Sequence, residues 1–344
     1  MNKLQTDWFE RDDKNISAHF QPALLIDLLK SHNLSSHKLL RGTGVFYEDI
    51  LTGHHAISSD QLLKIISNSR QLDNSDELSF RWGHSLWPGH YGSFSQLLNN
   101  SENLGQALKF LCQYKTSFSP LIIPKVFMDD QYCYVQWLDI TGLGDNKQFM
   151  VETAMTALSS MTRWLSGERL PWRYGFSYEQ PDHIEHYQVN FNSHLHFGLG
   201  LDVMMIDKAW LTKAWPKAST TALQVAQHAL IHQQEQSKAI SFIEANYKLM
   251  IQHIRHPLSL ERSAEYFSMS PATYKRKLKK HEYSFQLLQD QARYHVCMYH
   301  LHILGWNNEQ VANYLSFNDA TNFRRAFKRW SGMTPSSSRM SFSL

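Results

Sequence analysis

The side chains with the clearest chemical potential in this chain are the cations of two segments near its C-terminus, 272–280 and 320–329. Ammonium and guanidinium groups bind the phosphates of nucleic acids, and Arg can also bind the edge of guanine with two hydrogen bonds. Small, hydroxyl and amide side chains stand among these cations and could fit against bases. The two segments therefore predict a surface for double-stranded DNA. Its candidate contact residues are Ala272, Thr273, Lys275, Arg276, Lys279, Ala320, Thr321, Asn322, Arg325, Lys328 and Arg329.

Apolar spacing predicts that the first segment lies on the second helix of a helix-turn-helix unit. Ser259 is a suitable N-cap for the first helix, and Ser270 followed by Pro271 is a suitable start for the second. Tyr274 and Leu278 lie four residues apart and are expected to bury against the first helix. The cations then lie on the outer side, near the helix start that enters a major groove in such units.

The same pattern recurs around the second segment. Ala312 is a small residue that would let two helices cross closely, and Asn318 or Asp319 would cap the second of them. Phe323 and Phe327 form its buried pair at i and i+4. The chain therefore contains two helix-turn-helix patterns in tandem.

The two outer faces suggest different tasks for different side chains. Arg276 and Arg325 are expected to contact base edges, with Thr321 and Asn322 as adaptable partners. A connecting helix over 285–304 would hold the two recognition helices about 34 Å apart on one face of the DNA. The remaining cations are expected to neutralise phosphates and to make the affinity salt-sensitive. These are Lys279, Lys280, Lys328 and Arg329.

The stretch 259–339 resembles the double helix-turn-helix domain of AraC/XylS-type bacterial transcription regulators. The strongest likeness is VANYLSFNDATNFRRAFKRWSGMTPSSSR, with its aromatic pair, RxF, W-x-G and P-x-x-x-R, and SAEYFSMSPATYKRKLKKHEYSF also fits the first unit. Two positions depart from the family pattern, because Ser316 and Glu282 stand where Gly is usual. Each lacks the residue that tolerates a positive φ most easily. The resemblance implies a sequence-specific regulator that acts as a homodimer with RNA polymerase.

The first 215 residues resemble the effector domain of the ornithine-utilisation-regulator-like branch of that family, the arabinose-binding type. The likeness rests on LLRGTGV at 39–45, HYGSFSQLL followed by LGQALKFLCQY, and a P-x5-Y arrangement before HFGLGLDVMMID. It implies that this half senses a small-molecule effector or forms a dimer. The ligands of the family are diverse, so the resemblance names none.

Charge and composition agree with a two-part chain. Residues 240–344 carry 14 Lys and Arg against 7 Asp and Glu, whereas the rest of the chain carries 20 against 24. A basic module joined to a slightly acidic larger part is typical of a polyanion-binding protein. The three cysteines show no metal or disulfide spacing, and no apolar run predicts a signal peptide or a membrane span. We therefore expect a cytoplasmic protein without a membrane partner.

Hydrophobic periodicity predicts an α+β N-terminal sensor domain, with helices on a small antiparallel sheet, plus an all-α C-terminal double helix-turn-helix domain. The strands are expected at 121–129, 132–139, 174–178 and 187–191, followed by an apolar segment at 201–206, and a cupin-like β-sandwich is the competing fold. Residues 1–20 are expected to be a mobile lead-in. The predicted division is 1–215 for effector binding or dimerisation, 216–239 for a linker helix, and 240–344 for DNA binding. The linker's apolar face would pack on its own domain or on a partner subunit.

Other functional classes have weaker support in the residues. Paired histidines such as His183 and His186, or His194 and His196, could ligate a metal, but no further Cys or carboxylate pattern completes a set. No GxSxG, HExxH or phosphate-binding loop is present, so no catalytic residues, metal site or cofactor are expected. The alternatives are a purely dimerising regulator, a DNA-bending accessory protein, or a metal-sensing or enzymatic first domain with accessory DNA binding.

Overall fold

The computed structural model describes residues 8–231 and 240–341. Its first half is mostly helical, and a few of these helices start at a polar side chain that accepts a backbone hydrogen bond. For example, the Ser58 hydroxyl accepts a hydrogen bond from Gln61 N at 3.2 Å, while Gln61 bonds back to Ser58 N. The helices are α1 (Gln21–Ser31), α2 (Ser36–Leu39), α3 (Tyr47–Leu51), α4 (Ser59–Asp73), α5 (Leu78–Leu86), α6 (Ser93–Asn99), α7 (Leu104–Gln113), α8 (Lys115–Phe118), α9 (Lys147–Ser166), α10 (Ile184–Phe191) and α11 (Thr220–Ile231).

Strands in this half form a five-stranded sheet and one short pair, and one further short strand pairs with the C-terminal third. The short strands are β1 (Trp8–Phe9), β2 (Ile16–Ser17) and β3 (Ala56–Ile57). The sheet strands are β4 (Ile122–Met128), β5 (Tyr132–Asp139), β6 (Arg173–Gly175), β7 (Leu195–His196) and β8 (Val203–Asp207), in the spatial order β4-β5-β8-β6-β7. The predicted hairpin over 121–139 is confirmed, because β4 pairs antiparallel with β5 from Ile122↔Asp139 to Met128↔Cys133. This half is therefore mixed α/β around one five-stranded sheet, and it is not the β-sandwich that the sequence left as an alternative.

The predicted strand at 187–191 is wrong, and this error also alters the sheet. The alternation in YQVNF suggested a strand, but these residues end helix α10. Tyr187 and Phe191 lie four residues apart and are fully buried, while Val189 is 74% exposed. This burial follows the period of a helix and not the alternation of a strand. Because α10 is a crossover between β6 and β7, these two strands run parallel. The sheet is therefore mixed instead of wholly antiparallel.

The predicted mobile lead-in is also wrong for the residues that the structure describes. Strand β2 pairs antiparallel with β3. Strand β1 pairs parallel with β9 (Ile240–Ser241), which opens the C-terminal third. Residues 1–7 lie outside the described residues. The start of the described chain is thus attached to both halves of the molecule.

The C-terminal third is helical throughout its described residues, apart from β9. Its predicted connecting helix over 285–304 is an α-helix as far as Met298 and then a π-helical turn over Tyr299–Ile303. The helices are α12 (Phe242–Gln252), α13 (Leu260–Tyr266), α14 (Pro271–Lys280), α15 (Phe285–Met298), α16 (Asn308–Tyr314), α17 (Ala320–Ser331) and α18 (Pro335–Ser341). The first helix-turn-helix unit consists of α13 and α14, and the second consists of α16 and α17.

The sheet is a layer shared by two hydrophobic cores. Along β5, Cys133, Val135 and Trp137 face the core of the N-terminal helices. Tyr134 and Leu138, on the opposite face, belong to the core of the C-terminal helices. This alternation follows from the two-residue period of a strand, so both faces of the sheet are buried. The C-terminal helices therefore pack directly on the back of the sheet.

The predicted linker helix lies partly within the described residues, as α11, whereas residues 232–239 lie outside them. Its apolar face, Leu223, Ala226 and Leu230, is buried in the core of the N-terminal helices. Val225 on the other side is 69% exposed. The helix therefore packs on its own chain, which decides between the two packing alternatives.

Candidate nucleic-acid interface

The first helix-turn-helix unit has the caps and the buried face that its sequence predicts. The Ser259 and Ser270 hydroxyls accept hydrogen bonds, each at 3.2 Å, from Arg262 N and Thr273 N. Tyr274 and Leu278 are almost fully buried, and Ala264 is fully buried where the helices cross. These contacts orient α14, so that its remaining side chains lie on the surface.

The second unit repeats this arrangement. Asp319 is the N-cap of α17, and its Oδ1 accepts a hydrogen bond from Asn322 N at 2.7 Å. Phe323 and Phe327 are fully buried, and Ala312 is 1% exposed. The predicted inner faces of both units are therefore confirmed.

The helices α13, α14 and α16 end in the same turn, although none of the three has glycine there. Backbone φ is +56° at Ser268, +60° at Glu282 and +58° at Ser316. In each turn the next residue donates its N–H to a carbonyl five positions earlier, as Phe317 N does to Ala312 O at 2.8 Å. This is the Schellman arrangement, which normally uses glycine. The two departures from the family pattern therefore retain the left-handed geometry.

The predicted contact residues all lie on the surface of the two units. Thr273 and Ala320 are partly exposed, and the others are exposed. Those at the start of α17 already have local partners. Asn322 Nδ2 donates to Asp319 Oδ2 at 3.0 Å, and Arg324 Nη2 donates to the Thr321 hydroxyl at 3.2 Å. The predicted adaptable residues would exchange these bonds for bonds to bases.

Two predicted phosphate ligands are held by carboxylates. Arg329 Nη2 lies 2.9 Å and 3.1 Å from the two carboxylate oxygens of Asp290 on α15. Lys280 is bound by Glu10, at 3.1 Å, and by Asp12. Both cations are therefore ion-paired within the described residues, and DNA would have to compete with these carboxylates.

The contact between the acidic segment after β1 and the first recognition helix was not predicted. Besides Lys280, Glu10 binds Lys277, one turn earlier on α14. Burial raises the pKa of the Glu10 carboxyl, but the hydrogen bonds from Lys277 and Lys280 hold it below its usual value overall. The spacing of the two lysines at i and i+3 indicated a shared face. Nothing local to the sequence indicated the distant carboxylates that would meet it.

Other side chains fix the second unit to its neighbours. Arg293 on α15 donates to Leu315 O at 3.0 Å, and its guanidinium lies 4.8 Å from the centre of the Phe317 ring. Arg339, the last residue of the P-x-x-x-R motif, donates to Trp306 O at 2.9 Å and to Asn308 Oδ1 at 3.1 Å. These bonds attach the turn and the start of the unit to rigid helices.

Two further features bear on function. No helix within residues 8–231 and 240–341 is long and apolar enough to cross a membrane. In the same part of the chain, no three His, Cys, Asp or Glu side chains are grouped so that they could hold a metal ion. The rings of His183 and His186, a pair considered as metal ligands, are 5.9 Å apart.

Comparison with known families agrees with this geometry. Residues 34–214 match the model described as the arabinose-binding domain of AraC transcription regulators, N-terminal. Residues 263–341 match a model of a helix-turn-helix domain. The matches cover most of the sheet-containing half and most of the two helix-turn-helix units.

This chain is also similar to individual proteins. The ornithine utilization regulator of Pseudomonas aeruginosa is 23% identical over 323 residues, which cover 92% of this chain and 94% of that protein. The crystal structure of the transcriptional regulator CdpR, also from Pseudomonas aeruginosa, is 17% identical, covers 95% of this chain and all of that one, and has a TM-score of 0.48. A DNA-binding transcriptional dual regulator from Escherichia coli K-12 is 26% identical over 28% of this chain and 86% of its own, with a TM-score of 0.26.

Proposed function

Because this chain belongs to the AraC-type family of DNA-binding transcription regulators, we propose that it binds a specific operator with both helix-turn-helix units under the control of a small effector. The observation that carries the proposal is that both recognition helices have a buried apolar face and an exposed cationic face. In both units an i, i+4 aromatic or aliphatic pair is buried, and Arg or Lys side chains are exposed on the outer side. Such a pair of recognition helices would enter successive major-groove segments.

The role of each outer side chain follows from its chemistry. Arg276 and Arg325 can bind guanine with two hydrogen bonds, so we assign them to base edges. Lys279 and Lys328 act as point charges on phosphates, as Lys280 and Arg329 would after leaving their carboxylates. The operator affinity is therefore expected to fall steeply as salt concentration rises.

The remaining parts of the proposal concern the N-terminal half. Its match to the arabinose-binding family supports a ligand-binding role, and the relative named ornithine utilization regulator supports control by a small metabolite. We further propose that the protein acts as a homodimer and recruits RNA polymerase. Residues 1–215, 216–239 and 240–344 remain the proposed division into effector domain, linker helix and DNA-binding domain. If this half only dimerises, operator binding will not respond to any metabolite.

The substitution Arg325→Ala tests base reading. It should cost about 1–3 kcal/mol at one base pair of the operator and relax specificity there, because a bidentate base contact is lost. The operator is first found by sequencing DNA selected by the full-length protein. Binding constants are then measured for the operator and its single-base variants.

The matched control is Lys328→Ala, one helical turn away on the same helix. It should weaken all sequences equally and reduce the slope of log K against log salt by about 1. Equal weakening of all sequences by Arg325→Ala would contradict a base contact at Arg325. Failure of the full-length protein to select any sequence would contradict the proposed function itself.

A further inference from the structure

A polar cleft with a volume of about 740 Å³ opens in the N-terminal half, between α4, α5 and the start of α9. Its volume lies within the range of about 300–1,000 Å³ that is usual for small-molecule sites. It lies away from the sheet face that contacts the C-terminal helices. The lining residues on which the charge of the cleft depends are Arg70, Asp76, Glu152 and His183.

A buried carboxylate, Glu152, forms one pole of the cleft. This residue is 4% exposed, and its oxygens accept hydrogen bonds from the Ser79 hydroxyl at 2.5 Å, from Gln148 Nε2 at 2.9 Å and from the Tyr187 hydroxyl. Neutral donors orient the carboxylate without cancelling its charge. A buried charge is costly unless a counter-charge is present.

A nearby histidine supplies part of that counter-charge, because the interaction with Glu152 raises the pKa of His183. His183 Nε2 lies 3.9 Å from Glu152 Oε1, beyond the length of a good hydrogen bond, and its Nδ1 lies 3.8 Å from Asp76 Oδ1. Glu152 and Asp76 thus place two carboxylates beside one imidazole in the wall of the cleft. This end of the cleft favours a cationic ligand group.

The second pole is the guanidinium of Arg70 on α4, which also lines the cleft. Its Nη1 donates to Asp145 O at 3.0 Å and to Asn146 Oδ1 at 2.9 Å, and the group lies 5.7 Å from the centre of the Phe149 ring. These acceptors are neutral, so the guanidinium keeps its charge and further donors for a ligand. A carboxylate would bind there more strongly than the neutral acceptors do.

We propose that this cleft is the effector site and that it binds a free amino acid, with an ammonium group facing Glu152 and Asp76 and the carboxylate facing Arg70. The inference rests on the proposed function, because it names the ligand class and the place of the effector. Opposite charges at the two poles match a zwitterion better than a sugar or a simple anion.

A route from the cleft to the DNA-binding third runs along the loop 139–146. Its far end, Asp145 and Asn146, accepts the hydrogen bonds of Arg70. The other end of the loop contacts His281, the residue after the first recognition helix, because His281 Nδ1 lies 3.3 Å from Thr141 O. A Cβ built on Gly142 would lie 1.9 Å from His281 O, so the two backbones are in direct contact.

The loop between these ends is stiff. The Asp139 carboxylate accepts the N–H groups of Thr141, Gly142 and Leu143 at 2.8–2.9 Å. A ligand carboxylate that takes over Arg70 would release the bonds to Asp145 and Asn146. Because the loop is braced, its displacement would reach His281 at the end of α14. Operator affinity is therefore expected to change when the ligand binds.

Binding is tested on the full-length protein with the common amino acids, L-ornithine and L-citrulline. We expect at least one of them to raise the melting temperature and to bind measurably by calorimetry. Its deaminated acid and its decarboxylated amine should each bind at least about tenfold more weakly, because each leaves one pole unpaired. Absence of binding by every amino acid would overturn the inference.

Two substitutions locate the bound ligand. Glu152→Gln removes the negative charge of the first pole. Arg70→Gln removes the positive charge of the second pole, which is exposed. Each substitution should therefore weaken binding of the amino acid at least about tenfold. The control is Glu168→Gln, the same change at an exposed carboxylate that pairs with Lys213, and it should leave binding unchanged. If Arg70→Gln bound the amino acid as tightly as the wild type, the cleft would be excluded, even if Glu152→Gln failed to fold.

Operator binding separates this inference from the proposed function. A protein that binds one operator but no amino acid disproves the cleft assignment and leaves the regulator intact. A protein that binds an amino acid but selects no operator disproves the regulator. Amino-acid binding that leaves operator affinity unchanged contradicts the route through the loop 139–146.

Discussion

Single residues in left-handed backbone set the shape of the turns around both recognition helices. Non-glycine residues in this conformation cost roughly 1–2 kcal/mol, and a side-chain hydrogen bond can offset part of that cost. Ser316 has such a bond, because its hydroxyl donates to Arg255 O. Ser268 occupies the equivalent turn of the first unit, with φ of +56° and an exposed side chain.

Substitution of Ser268 by glycine should therefore stabilise the protein by up to about 1 kcal/mol, once the extra flexibility of glycine in the unfolded chain is counted. Ser316→Gly should gain less, because it also loses the bond to Arg255 O. Urea denaturation of the two variants and the wild type measures the difference. A lower stability of Ser268→Gly would show that its conformation is not strained.

At the scale of elements, sequence periodicity was informative wherever one period was uninterrupted. It predicted both helix-turn-helix units and the β4–β5 hairpin. It failed at α10, where five alternating residues could not reveal that Tyr187 and Phe191 share one helical face. The cleft around Glu152 was equally hidden, because its lining comes from several separate segments. Only the fold brings such residues together.

The hydrogen bond between Tyr274 and Asn246 joins two helices of the DNA-binding third, α14 and α12. The Tyr274 hydroxyl donates to Asn246 Oδ1, and both residues are fully buried. Tyr274→Phe should cost about 1–3 kcal/mol, because it leaves a buried amide oxygen without its donor. Urea denaturation measures this loss. The partly exposed Tyr266 offers a control, and a cost as small for Tyr274→Phe as for Tyr266→Phe would contradict the role of this bond.

Across the whole molecule, buried and half-buried histidines should make stability depend on pH. Burial lowers the pKa of His281 and His302 to about 4 and that of His295 to about 3. In the unfolded chain these groups titrate near about 6.5. Between these values the unfolded state binds more protons, so stability is complete above about pH 6.5 and falls as the pH decreases.

Each histidine should contribute up to about 1.4 kcal/mol per pH unit within that window. Urea midpoints measured between pH 7.5 and pH 5 test this dependence. The variant His281→Gln should show a shallower slope, since one of the titrating groups is gone. If the variant and the wild type had the same dependence of stability on pH, His281 would have the same protonation state in the folded and the unfolded protein. Carboxylates also affect stability, but at more acidic pH. For example, a hydrogen bond from Lys280 lowers the pKa of Asp12. The titration of such carboxylates therefore does not overlap with the upper part of the histidine window.

The pairing of β1 with β9 has a consequence for the order in which the protein can form during synthesis. Trp8 leaves the ribosome before the sheet-containing half has been made, whereas its partner Ile240 follows only after that half is complete. The Trp8 ring also packs against residues that are made later, Phe242 and Phe267. Their ring centres lie 6.0 Å and 5.4 Å from that of Trp8 in the folded protein. The N-terminal half can thus build its own core first. The first strand stays unpaired until the DNA-binding third arrives to complete it.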